Sequence, residues 1–116
     1  MLFVQYPKCS TCRKAKNWLD EHNIEYESRH IIEDNPSAEE LRKWWEISDL
    51  PLKRFFNTSG MKYRELKLKD KLPDMSEDEQ LDLLATDGML VKRPVLVAAD
   101  FVLVGFKVKE LEEKLI

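Results

Sequence analysis

Residues 6–22 read YPKCSTCRKAKNWLDEH, and Cys9 and Cys12 within that stretch are the only cysteines in 116 residues. The apolar run before them, LFVQY (Leu2 to Tyr6), reads as a β-strand ended by Pro7. After them the period changes. Cys12, Ala15, Trp18 and Leu19 recur at helical spacing, with Arg13, Lys14, Lys16 and Asp20 on the other side. Ser10 or Thr11 is expected to cap this helix and Asn23 to stop it. The cysteines therefore sit where a strand turns into a helix. A metal clip, a structural disulfide, two buried small hydrophobes and a redox pair all use two cysteines at this spacing.

Composition narrows the choice. Hydrophobic content of 43% and charged content of 35% describe a globular chain with enough apolar surface for one core. The formal net charge of −3 is not the basic excess that nucleic-acid binding brings, so no direct nucleic-acid partner is expected. No apolar run approaches the roughly 18 residues of a membrane span. MLFVQYP carries no basic segment ahead of its apolar residues and is too short for a secretory signal. These features predict a cytoplasmic protein with no membrane association. Cytoplasmic thiols are kept reduced, which disfavours a static structural disulfide.

The rest of the chain gives the fold class. EYESRHI (Glu25 to Ile31) alternates and reads as a second strand, parallel to the first, making a strand–helix–strand unit. PSAEELRKWWEIS begins with Pro36 and Ser37, with Glu40 three residues after Ser37, a capping-box signature. A short helix is expected after Pro51 and a turn at Thr58–Gly60. SEDEQLDLLATDG reads as a helix capped by Ser76 and stopped at Gly88. RPVLVAADFVLVGF then reads as a hairpin and KVKELEEKL as a closing amphipathic helix. The order is β-α-β, a helical insert over about residues 36–88, then β-β-α. It predicts one α/β domain over residues 1–116, with a mixed sheet and a thioredoxin-like fold.

That context favours the redox pair. A helix start exposes free N–H groups and the positive end of the helix dipole, both of which favour a thiolate. Lys8, Arg13 and Lys14 add positive charge nearby. Cys9 is thus expected to be the nucleophile, with a depressed pKa, and Cys12 to resolve. The Ser10, Thr11 and Cys12 amides would form an anion-binding helix start. A zinc site needs four ligands, and the remaining candidates, His22 and His30, would have to converge from a helix end and a strand. No metal is expected, and sulfur chemistry needs no bound cofactor.

KRPVLV holds the second chemical feature. In thioredoxin-like domains the proline that opens this strand is cis and faces the reactive cysteine, which assigns that role to Pro94. Arg93 would then point toward Cys9 and hold a thiolate or an oxyanion at any pH. Of Trp44 and Trp45, being adjacent, only one can fully face the core. Phe55 and Phe56 read as packing, and the charges of MKYRELKLKDK (Met61 to Lys71) as a solvated mixed-charge surface.

Three blocks in order, CSTCRKA from Cys9, FFNTSGMKYREL from Phe55 and GMLVKRPVLV from Gly88, resemble the ArsC/Spx family over essentially the whole chain. The resemblance implies a thioredoxin-like fold with a helical insert, Cys9 as nucleophile and Arg93 as the arginine beside the cis-proline. Glutaredoxin-linked arsenate reductases of this family hold an oxyanion with further arginines, where this chain has Asn57 or Thr58 and Lys107. Asn57 and Lys107 are accordingly the expected anion-binding positions, with Ser10, Thr11 and Arg13. Spx-type regulators carry the Cys-x-x-Cys as a disulfide switch and bind the carboxy-terminal domain of the RNA polymerase α-subunit. Their binding surface includes a glycine, and EISDLPLKRFF (Glu46 to Phe56) has none; their basic tail beyond the last helix has no counterpart before Ile116. The resemblance thus implies a thiol–disulfide redox protein, a monomer, acting on a small oxyanion or thiol/disulfide substrate. Its external reductant would be glutathione with glutaredoxin, thioredoxin or a bacillithiol-type thiol. The alternative it implies is an Spx-type regulator whose partner is the RNA polymerase α-subunit.

Overall fold

A computed structural model describes residues 1–116. Its sheet has four strands, β1 (Leu2–Gln5), β2 (Glu27–His30), β3 (Val95–Val97) and β4 (Val102–Val104), in the spatial order β2-β1-β3-β4. β1 and β2 pair in parallel, Leu2 opposite Glu27. β3 lies antiparallel to β1, Phe3 opposite Leu96, and β4 antiparallel to β3. This is the mixed sheet expected from the β-α-β and β-β-α halves. Strand alternation sends Phe3, Leu96 and Leu103 to one face and Val4, Val95, Val102 and Val104 to the other.

Each face is covered by a different part of the chain. On the first lie α1 (Ser10–Glu21), through Ala15, Trp18 and Leu19, and the closing helix, through Leu111. On the second lies the insert: α2 (Ala38–Ser48), α3 (Met61–Glu65), α4 (Leu68–Lys71) and α5 (Glu77–Leu84). The closing helix is α6 (Val108–Leu115). No helix is long and apolar enough to cross a membrane. Trp44 faces the core at 5% exposure while Trp45 is half-buried and donates its indole N–H to Leu50 O at 2.8 Å. Phe55 and Phe56 are both buried.

Caps set the starts of the two longest insert helices. Ser37 with Glu40, and Ser76 with Glu79, each form a reciprocal capping box. One boundary differs from expectation. The helix after Ser76 ends at Leu84 rather than at Gly88. Gly88 instead opens a short 3-10 turn (Gly88–Leu90) against β2's exit, where an added Cβ would lie 2.2 Å from Ile31 O. Close approach, not helix termination, is why glycine stands there. The stretch Met61–Lys71 is also more than charged surface, since α3 and α4 bury Tyr63 and Leu68 beneath their exposed lysines.

Arg29 fastens the insert to the sheet. It donates from Nη1 and Nη2 to the two Glu40 carboxylate oxygens at 2.6 and 2.9 Å, and its guanidinium lies over Trp44. The Arg29 hydrogen bonds, together with the Ser37 N–H, hold the Glu40 carboxyl down at about 2 despite its partial burial. A carboxyl depressed on folding stabilises the fold above its ordinary range and loses that contribution as pH falls toward the folded value. Glu40→Gln is therefore expected to lower unfolding free energy at pH 7 by about 1 kcal/mol, discounted because solvent screens the pair. In urea melts this deficit should shrink between about pH 4.5 and pH 2 and be nearly gone at the lower end.

Candidate active site

After β1 the chain turns through Pro7 and Lys8, and the Cys9 N–H donates back to Tyr6 O at 2.9 Å. Cys9 itself, extended at φ −85 and ψ 124, holds the cap position of α1. This corrects the expectation that Ser10 or Thr11 caps the helix: no side-chain oxygen does so. The free amides are left for sulfur. The Cys9 side chain itself closes no cap hydrogen bond, so the Thr11 and Cys12 amides stay free beside its sulfur, and they and the Cys12 thiol favour its charged form. Cys12 is fully buried, and the Tyr6 N–H donates to its Sγ at 3.5 Å. Both thiols are free.

Arg93 reaches the same place from the other half of the chain. The Arg93–Pro94 peptide bond is cis, and the guanidinium lies 5.3 Å from the Tyr6 ring centre. Its Nη1 makes only a long 3.5 Å bond to Met89 O, its buried Nε has no partner, and no carboxylate pairs with it. Its charge therefore acts on the thiols. Burial would raise the Cys9 thiol, but the Cys12 amide and thiol, the Arg93 charge and the Thr11 amide outweigh it. The net result is a Cys9 pKa below its ordinary value. Cys12 goes the other way, pushed up to about 12 chiefly by burial and then by the neighbouring Cys9 sulfur. Two thiols one helical turn apart are thus set apart, Cys9 favouring its charged form more than a free thiol does and Cys12 favouring its proton.

The cleft over Cys9, about 610 Å³, is lined by Thr11, Asn57, Lys62, Asp87, Lys92 and Arg93 among others. An antiparallel seam builds its far wall: Asn57 N–H donates to Leu90 O, Lys92 N–H to Phe55 O, and Phe56 pairs with Val91. Asn57 is thus brought to Cys9. Gly60 packs on its amide, where a Cβ would come within 2.7 Å of Nδ2. Lys107 is not brought to the cleft. It lines an adjoining hollow with Thr11, Arg54 and Lys92, because it caps α6 on the far side of Thr11. Ser10 and Arg13 are exposed and line neither hollow, being turned outward by the helix. Lys62, Asp87 and Lys92 were missed from sequence; only the adjacency of Lys92 to Arg93 could have signalled any of them. His22 stacks on Trp18, and His30 Nδ1 accepts from Ile32 and Glu33 N–H, so both have structural places.

The sequence model of the ArsC family matches residues 4–114. The chain belongs to the ArsC family. It is 61% identical over 113 residues to "Uncharacterized protein YusI" of Bacillus subtilis, covering 97% of this chain and 96% of that one. It is 32% identical to "Regulatory protein MgsR" of the same organism, covering 96% of this chain and 86% of MgsR. The crystal structure of "a possible arsenate reductase" from Streptococcus mutans superposes with a TM-score of 0.87 at 48% identity, covering 96% of each chain. The sheet and its two helical layers are the thioredoxin-like fold of ArsC-family proteins.

Iodoacetamide labelling across pH, read by mass spectrometry, tests the division between the thiols. Cys9 should label with a midpoint below the roughly 8.5 of a free thiol, while Cys12 stays unlabelled through pH 9. Arg93→Ala should move the Cys9 midpoint upward, and Arg93→Lys, which keeps the charge, should recover most of that shift.

Proposed function

We propose that this ArsC-family protein is a thiol–disulfide oxidoreductase in which Cys9 attacks and Cys12 resolves. One observation carries the reading. A partly exposed thiol at the start of α1, beside an arginine with no carboxylate partner, stands one turn from a second thiol that is fully buried. A structural pair has no use for that asymmetry, whereas ordered thiol exchange requires it. The Cys9 thiolate attacks an oxidised substrate, a disulfide or an oxyanion, and forms a covalent sulfur adduct. Cys12 then loses its proton to the departing group and attacks Cys9 sulfur, closing the intramolecular disulfide. Two electrons pass from the pair to the substrate. Arg93 holds the anionic sulfur before attack, and Asn57 offers its amide to the incoming group. The cycle requires a reducing compartment such as the cytoplasm, and an external thiol system to restore the dithiol.

The test is NADPH consumption with arsenate or a model disulfide, coupled in turn to thioredoxin and to glutathione with glutaredoxin. Turnover should vanish in Cys9→Ser. Cys12→Ser should stop after one covalent adduct unless an external thiol resolves it. Absence of any Cys9-dependent reduction would overturn the proposal.

The 32% identity to MgsR along nearly the whole chain favours one second reading, a redox-switched regulator. In that reading Cys9–Cys12 oxidation reshapes the start of α1 and changes affinity for a protein partner such as the RNA polymerase α-subunit. Retention of purified α-subunit by the oxidised form and not the reduced form would support it; no retention in either state would reject it.

A further inference from the structure

Three hollows open side by side next to Cys9, and they differ in charge. The Cys9 cleft is mixed, with Lys62, Lys92 and Arg93 facing Glu65 and Asp87, and Asp87 lies 4.0 Å from Lys62. The next, about 330 Å³, carries Arg54, Lys92 and Lys107 and no acidic residue. The third, about 390 Å³, carries Lys53, Arg54 and Lys92, again with no acidic residue. Thr11 lines the first two and Lys92 all three, so the hollows form one continuous strip leading away from the nucleophile. None of Lys53, Arg54, Lys92 or Lys107 pairs with a carboxylate, in a chain whose net charge is −3. The backbone bond from Lys92 N–H to Phe55 O holds the Arg54 and Lys92 segments together. Four cations concentrated without counter-charge make a local positive potential that attracts a negative partner, and their spread over two further hollows exceeds what one tetrahedral oxyanion fills.

We propose that Lys53, Arg54, Lys92 and Lys107 dock an acidic polypeptide segment that carries the disulfide on which Cys9 acts. The inference rests on the redox reading above and names its substrate class. Carboxylates flanking the substrate cysteine lie along the strip and bring the disulfide over the mixed cleft. Cys9 thiolate bonds to one substrate sulfur as the S–S bond breaks, and the other sulfur leaves as a thiolate that takes a proton from water. Cys12, giving its proton to the second departing sulfur, attacks Cys9 and frees it. Substrate disulfide becomes two thiols, and the enzyme pair becomes a disulfide.

The experiment uses three synthetic peptides of one length, each holding a single cysteine in mixed disulfide with thionitrobenzoate. The flanking residues are aspartate, serine or lysine. Coloured thionitrobenzoate released at low salt reports attack on the peptide disulfide. The aspartate peptide should react about tenfold faster than the lysine peptide, and the advantage should shrink as salt is raised. Lys53→Glu and Arg54→Glu should each slow the aspartate peptide several-fold and leave the serine peptide unchanged. Equal rates for the three peptides, or equal slowing of the serine peptide, would overturn the proposal. A fluorescent aspartate peptide with serine in place of cysteine reads docking by anisotropy without any chemistry. Its binding should weaken in Lys53→Glu and Arg54→Glu. Thionitrobenzoate release from no peptide would defeat the redox reading, whereas absence of charge-dependent peptide binding would defeat the docking strip. Complete displacement of that peptide by inorganic phosphate at matched ionic strength would reassign the strip to a small anion and also overturn the proposal.

Discussion

The first turn of α1 presents amide donors that no side-chain oxygen receives. An unsatisfied helix start costs stability, and proteins usually answer it with Ser, Thr, Asp or Asn at the cap. Here a cysteine occupies that position and closes no cap hydrogen bond, so the positive helix start stays open beside its sulfur. The free Thr11 and Cys12 amides therefore favour the Cys9 thiolate over the thiol. A better cap at residue 9 would satisfy the helix start and remove the sulfur together.

A thiolate at a helix start still needs a setting that keeps it anionic and leaves a face open. The fold meets this by bringing the second half of the chain across the first. β3 lies beside β1, so the residue before β3 faces the residues after β1, and Arg93 lies over Tyr6. The insert follows through the seam between Phe55–Asn57 and Leu90–Lys92, which adds Asn57 and Lys92 to the wall. Remote parts of the sequence thus meet at Cys9 because the central β1–β3 pairing and a short antiparallel seam fix them there. The Arg29–Glu40 pair serves the same end by tying the insert to β2.

Much of this was legible from the sequence because the signals were periodic or stereochemically narrow. The alternation of β1, the helical spacing of Cys12, Ala15, Trp18 and Leu19, and the Ser37–Glu40 box each map onto one local structure. The failures are of another kind. Gly88 read as a helix stop because local sequence says nothing of the Ile31 carbonyl that packs on it. Ser10 read as a cap because its residue type is a good one, but the chain enters the helix one residue earlier. Lys107 read as an anion-binding position, and that it lines the hollow beside the Cys9 cleft rather than the cleft itself depends on where α6 starts relative to α1, a tertiary fact. Lys62, Asp87 and Lys92 carry no distinguishing pattern, since an exposed charge looks the same in the sequence wherever the fold directs it.

In the proposed cycle the depth of Cys12 sets the order of events. Fully buried, with its pKa pushed up to about 12, it favours its proton and is a poor first nucleophile. Once Cys9 forms a covalent adduct, its negative charge disappears, and with it the repulsion that helped raise Cys12. Arg93, whose charge already lowers both thiols, then has only Cys12 to favour. Loss of the first thiolate therefore removes one cause that raised the second, while burial continues to oppose it. In the proposed cycle Cys12 thus becomes easier to ionise only after Cys9 has reacted, which places the resolving step after the attacking one.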